Sequence, residues 1–355
     1  MSENSEPEPD ADGASRPDET SPEETPVPVP SEALPVPVPD PTPDASVPTG
    51  IFARLKNRLE APEKGAATIT GTLRDYLVVT WAVPADKVRP QVPAELPLDV
   101  LPNASGELTA FLQVVCFYGE NIHWSPLQND PLAQSYHQVT YRLLTRYKNK
   151  RGAFNLRSYF STEEVRNTQR VVAREVDYAR FFVHINGDPA RNTYSSYNLR
   201  AVGDRGQTSV EVTFDASEAA ETTSASTPFA DFDEMAQYLT QMAVAEDAEK
   251  AAIAVPVKAV PIPAPFSKFE DMSLFLTQRE EVYFASSAPK TGIGLTPVHH
   301  EPLQPRSGIL KSARASLFTD QKLLTPEDLL QPVAVLLQPS FTLTTYPPRL
   351  ARFEE

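Results

Sequence analysis

The chain has 355 residues with 47 acidic and 32 basic side chains, a formal charge of −15, which argues against a basic nucleic-acid-binding face. Its single cysteine excludes an intramolecular disulfide and fits a reducing cytoplasm, and no apolar run reaches the ~20 residues that span a bilayer.

Residues 1–50 hold 13 of the 36 prolines and 12 acidic residues against one arginine, so they carry −11 of the −15 and leave −4 for residues 51–355. Val-Pro-Val-Pro, from Val27 and again from Val36, favours extended polyproline II without internal hydrogen bonds. Such a segment buries too little apolar surface to offset its ordering entropy, so 1–50 is expected to be a disordered tail, either a solubilising spacer or an arm for a protein partner. Met1 is followed by acids and not by an apolar stretch, so no signal peptide is expected. In 51–66 a short helix or linker is expected, with Phe52, Leu55 and Leu59 on one face.

From 67 the pattern reads as strands. Ala67–Val83, Leu108–Tyr118, Ser135–Tyr147, Gly152–Ser161, Tyr178–Asn186, Thr193–Val202 and Thr208–Phe214 are rich in β-branched and aromatic residues, and turn signals separate them. A helix is expected over Thr162–Glu175, with Glu163 and Glu164 in its first turn. Many strands with one crossing helix predict a mainly β (α+β) unit, an antiparallel barrel or cone, over 67–318. A helical insertion is expected at 228–265, and 319–355 is set apart as a C-terminal extension whose Phe341–Tyr346 stretch reads as an edge strand.

An internal repeat interrupts the strands. Pro228–Gln241 recurs as Pro265–Gln278, sharing the proline, two phenylalanines, the methionine and Leu-Thr-Gln. Phe269, Met272 and Leu276 share a helical face, so each copy predicts a helix that docks by that face. Beyond it, strands are expected at Glu281–Ala285, Gly294–Glu301 and from Ile309, and Thr325 is placed to cap a helical turn ahead of Pro326.

Familiar catalytic signatures are missing. His299-His-Glu301 is the densest polar cluster but lacks a third converging metal ligand, and no metal or cofactor is expected. Cys116 lies in the apolar Phe111–Tyr118 stretch and reads as a buried structural thiol. No Walker loop, dinucleotide fingerprint or Gly-x-Ser-x-Gly elbow occurs.

Five groups of residues, taken in order, resemble the bacterial family known as domain of unknown function 2071. They are Trp81-Ala-Val-Pro84 with Val88-Arg-Pro, Val92-Pro93 and Leu98-Asp99; the strand residues Tyr136, Gln138, Val139 and Arg142; the Gly152 turn; Phe275-Leu-Thr-Gln-Arg279 with Tyr283; and His300-Glu-Pro-Leu-Gln304. The resemblance spans roughly 68–312. That family is similar to the acetoacetate-decarboxylase-like superfamily, which implies a barrel or cone around a central cavity for a small organic ligand, and no agreed reaction.

The superfamily's decarboxylase uses a Schiff-base lysine, yet this chain has no lysine between Lys150 and Lys250. Arginine stays charged and cannot form the imine. Where the family usually carries Glu, this chain has Gln138, which cannot act as a general base. Schiff-base decarboxylation is therefore not expected.

Period-2 alternation puts Tyr136, Gln138, Thr140 and Arg142 on one face and His137, Val139 and Tyr141 on the other; the first row either faces in, where it suits an anionic or carbonyl ligand, or meets solvent. Arg157, Arg180, His184 and His300 are further candidates for the same site. Three readings follow: a small-molecule-binding barrel; a lyase or hydrolase acting on a small carbonyl acid with His184 or His300 as acid/base; and an interaction protein working through its N-terminal tail.

Overall fold

The computed structural model describes residues 68–103, 105–125, 133–188, 193–214, 266, 268–287 and 292–353. The tail expected over 1–50, the helix expected over 51–66, and the insertion at 228–265 with the first repeat copy lie outside the described residues.

The described residues form β1 (Thr68–Pro84), β2 (Leu101–Pro102), β3 (Leu108–Ser125), β4 (Gln134–Tyr147), β5 (Lys150–Phe160), β6 (Val176–Asp188), β7 (Thr193–Gly203), β8 (Gly206–Thr213), β9 (Glu281–Ala285), β10 (Ile293–His299), β11 (Arg306–Ser307), β12 (Ile309–Ala315), β13 (Ala334–Thr345) and β14 (Arg349–Leu350). The α-helices are α1 (Ala85–Val88), α2 (Glu163–Arg170), α3 (Phe269–Thr277) and α4 (Ser316–Asp320). The protein is mainly β, as the sequence predicts.

Seven strands close a ring. β1 pairs with β3 and β13, β3 with β4, and β4 with β5, all antiparallel. β5 pairs in parallel with β9, β9 pairs with β10, and β10 returns to β13. A closed ring leaves no free edge among its members. β6 joins the outer part of β5 in parallel, which requires a crossover, and α2 supplies it. β6, β7, β8 and β12 then continue as an antiparallel sheet outside the ring.

The chain behind Phe318 does more than extend the barrel. The 12-residue strand β13 pairs with β1 from Ile69 to Thr80 and also with β10 at Thr344 and Thr345, so it is a ring strand and not an edge. Its alternation was hard to see because the phase changes along it. Leu336, Phe341 and Leu343 pack inside and Val335 and Leu337 outside. Pro339, which cannot donate to a ladder, lies beside the irregularity in β1 where Asp75 has φ 53°. β1 changes phase there too: Leu73, Tyr76 and Val78 face in, whereas Leu77, Val79 and Trp81 face out.

Two apolar clusters lie on the two sides of the ring wall. Outside it, Leu77, Val79, Trp81, Val114, Cys116, Val139, Tyr141 and Leu143 pack against Tyr197, Leu199 and Val212 of the second sheet and Phe318 of α4. The Trp81 indole donates to the Leu329 carbonyl at 3.2 Å. The side of β4 opposite the inward row is thus a second core, where Val139 and Tyr141 are fully buried, and not a solvated surface.

Inside the ring, α3 is the second repeat copy. It packs Met272, Leu274, Phe275 and Leu276 with Phe266 against Phe111, Leu144 and Ala153. Every residue from Asp271 to Thr277 is buried, so the helix is enclosed on all sides and not merely docked by one stripe. Gly152 lets β5 approach β9 here, since a Cβ at this position would sit 2.6 Å from the Tyr283 ring.

Candidate functional site

The ring encloses a cavity of about 760 Å³. The inward row of β4 supplies Tyr136, Gln138, Thr140 and Arg142, and β5 adds Asn155, Ser158 and Phe160. Leu73 and Tyr76 of β1, Val115 and Phe117 of β3, Phe284 of β9, and Phe341 and Leu343 of β13 make the rest of the wall mostly apolar, while Glu164, Val165 and Thr168 of α2 lie along it. No lysine lines it.

Arg142 is the central polar group. It is 8% exposed, its Nε donates to Gln113 Oε1 at 2.8 Å, and its Nη2 donates to the Tyr76 hydroxyl at 3.3 Å. Gln113 is fixed in turn by donating from Nε2 to the Leu276 carbonyl at 2.9 Å and to Thr80 Oγ1 at 3.1 Å. These bonds orient the guanidinium without neutralising it, and Arg142 forms no ion pair among the described residues.

A second buried charge cluster backs the site. Asp99 Oδ2 accepts from Arg151 at 2.6 and 2.9 Å and from Arg279 Nη1 at 3.0 Å. The Arg279 side chain lines the cavity, and its Nη2 donates to the Phe275 carbonyl at 2.6 Å. The Arg151 guanidinium lies 3.9 Å from the centre of the Phe275 ring. Burial alone would raise the Asp99 pKa, but the two guanidiniums reverse this and hold it below the usual carboxylate value. Burial pushes Arg279 down from its usual value, as does neighbouring Arg151, with Asp99 opposing both.

His300 follows β10 and also lines the cavity, with its ring 5.3 Å from Phe341 in a T-shaped contact. Its Nδ1 lies 2.8 Å from the Glu301 carbonyl. Burial, with smaller contributions from His299 and Arg142, lowers its pKa to about 4, although the carbonyl bond opposes this. Burial pushes the Tyr136 phenol up to about 12. Both rings are therefore neutral near pH 7.

The structure brings together Tyr136, Gln138, Arg142 and His300 from the sequence-derived candidates and places the other three elsewhere. Arg157 faces away from the cavity, donating to Glu175 Oε2 at 3.3 Å and the Arg205 carbonyl at 3.2 Å. Arg180 and His184 are exposed on the outer side of β6. Sequence reasoning overlooked Asp99, Arg151 and Arg279. Their signal was present, since Leu98-Asp99 and Phe275…Arg279 were both among the resembling motifs, but nothing in one dimension joined them. Cys116 is fully buried in the outer core, and its thiol pKa is raised by that burial. Among the described residues no group of three His, Cys, Asp or Glu converges as a metal site, and no helix is long and apolar enough to cross a membrane.

Residues 70–244 match the family described as an uncharacterized conserved protein, domain of unknown function 2071. That stretch belongs to this family. The domain of unknown function 2071 segment contains β3 to β8 and most of β1, whereas β9, β10 and β13, which complete the ring, lie beyond it. Among solved structures, the chain is similar to the enduracididine biosynthesis enzyme MppR complexed with pyruvate, with 13% identity over 83% of this chain and 94% of that one and a TM-score of 0.45. An acetoacetate decarboxylase-like enzyme from Sphingomonas wittichii RW1 matches at 8% identity over 82% and 95%, with a TM-score of 0.44. Acetoacetate decarboxylase from Legionella pneumophila matches at 10% identity over 87% and 98%, with a TM-score of 0.43. No curated protein matches the chain.

Proposed function

We propose that the barrel binds a small organic acid, its carboxylate on Arg142 and its apolar body against Phe160, Phe284, Phe341 and Leu343. The observation that carries this reading is the held, unneutralised guanidinium of Arg142 in a mostly apolar cavity. A buried cation needs a partner, and a planar guanidinium suits a carboxylate. Asp99 does not meet that need, being shared by Arg151 and Arg279. The domain limits set by sequence carry over in amended form: a binding barrel from 67 that includes β13, preceded by a separate acidic tail.

The test is calorimetric titration of the full chain with aromatic and branched carboxylic acids and their neutral amides. The acids are expected to bind, and Arg142→Gln to weaken them by about 10- to 100-fold, the range for a charged hydrogen bond. Equal affinity for acids and amides, or an unchanged affinity in Arg142→Gln, would overturn the reading.

A second reading is a lyase or hydrolase acting on a small carbonyl acid without a Schiff-base lysine. It is favoured by His300, which lines the same cavity as Arg142 and could exchange a proton with a bound acid. Turnover of a bound acid that stops in His300→Phe would support it. The reading of the tail as the working part is tested by pulldown with the full chain and a chain starting at Ile51. Partners lost only on truncation would support it.

A further inference from the structure

We propose that His300 sets the ligand class: its Nε2 accepts a hydrogen bond from a hydroxyl on the bound acid, so the cavity selects hydroxy acids over the corresponding oxo acids. This deepens the carboxylate reading above and rests on it.

A carbonyl oxygen can only accept, so the 2.8 Å contact between Nδ1 and the Glu301 carbonyl assigns the ring proton to Nδ1. The ring is neutral near pH 7, being buried and within the field of Arg142 and His299. A neutral imidazole with its proton on Nδ1 has a bare lone pair on Nε2. That atom makes no hydrogen bond to a described residue. The ring is only 5% exposed and is held by Phe341 and the Glu301 carbonyl, so it does not swing out to find a partner in bulk solvent.

The other polar groups of the wall leave this vacancy for the ligand. Arg142 commits Nε to Gln113 and Nη2 to Tyr76. Gln138 commits its amide N–H to Thr140 Oγ1 at 2.8 Å, and Thr140 and Ser158 hydrogen-bond each other at 3.1 Å. The cavity therefore offers a cation for the acid and an acceptor beside it. An oxo acid brings only acceptors and would leave Nε2 unpaired, whereas a hydroxy acid supplies the missing donor. A site built to hydrogen-bond a hydroxyl discriminates strongly against an analogue that lacks it.

The experiment is calorimetric titration of the full chain with matched pairs: phenyllactate against phenylpyruvate, and 3-hydroxy-3-phenylpropanoate against its 3-oxo counterpart. At least one hydroxy acid is expected to bind about tenfold more tightly than its oxo partner, the size of one net hydrogen bond. In His300→Phe, which keeps a ring but not the acceptor, the ratio should fall towards one. His300→Asn restores an acceptor and should recover part of the ratio, which a merely structural role for His300 would not produce. Equal affinities within both pairs, or a preference that survives in His300→Phe, would overturn this inference and leave the carboxylate reading standing. Binding of no acid would overturn both.

Discussion

The two sides of β4 have the same backbone and opposite fates. Outside the ring, Val139, Tyr141 and Leu143 are fully buried and meet the second sheet and α4. Inside, Tyr136, Gln138, Thr140 and Arg142 border about 760 Å³ of cavity. Stability is concentrated on one face and binding capacity on the other, so a change of one residue in sequence moves from the first regime to the second. At the end of the ring that carries the Asp99 cluster the distinction fails, because Arg279 is both cavity wall and packed interior.

That end gives the largest expected effect. Asp99→Asn keeps shape but leaves Arg151 and Arg279, each only 2% exposed, without their shared carboxylate. Loss of one partner from a buried ion pair costs about 3–5 kcal/mol. The native Asp99 pKa lies below its unfolded value, so the carboxylate's contribution is present in full above the unfolded value of ~3.9 and is lost as pH falls through the folded one. Urea denaturation of both proteins from pH 8 down to about pH 2 checks this. A wild-type advantage below about 1 kcal/mol at pH 7 would show that the cluster does not stabilise this end of the ring.

The contrast across β4 itself is sharpened by moving one bulky side chain by one position. Val139→Phe overpacks the outer core and should cost about 1–3 kcal/mol. Gln138→Phe projects into the cavity, loses only the bond to Thr140, and should cost less than about 1.5 kcal/mol while blocking ligand. Equal destabilisation would mean that the inner face is as tightly filled as the outer.

Much of this architecture could be read from the chain. Alternation and the intervening turn signals located β1, β4 and β5 within two residues and β3 apart from its last seven, and period 2 put Tyr136, Gln138, Thr140 and Arg142 on one face without saying which side of the wall it meets. Phase changes limited the rest. The β4–β5 register shifts between Tyr141 and Arg142, so that Asn155 and Ser158 line the cavity and Arg157 does not. Arg180 and His184 do share a face with Phe182, but on a sheet outside the ring, a fact of topology that no local pattern encodes. β13 was misread as an edge because Pro339 and the change of phase hide its alternation. Asp99 meets Arg151 where the segment after β1 runs beside the β4–β5 turn, and Arg279 joins them from just beyond α3, an encounter of three segments far apart in sequence.

The smallest effect belongs to α3, where burial has a cost with no visible return. Asp271 is 1% exposed, and neither carboxylate oxygen has a hydrogen-bond partner among the described residues. Desolvation raises its pKa, with Glu270 adding to the shift and Lys268 opposing it. A carboxyl whose folded pKa exceeds its unfolded value of ~3.9 imposes no penalty at lower pH, and its penalty grows with pH until the folded value is passed. Asp271→Asn removes the ionisation and keeps the size, so it should stabilise the protein by about 1 kcal/mol at pH 8 and by less at about pH 3, below the unfolded value. Thermal unfolding at the two pH values measures the difference. A gain that fails to grow with pH would mean that Asp271 is ionised and paired in solution.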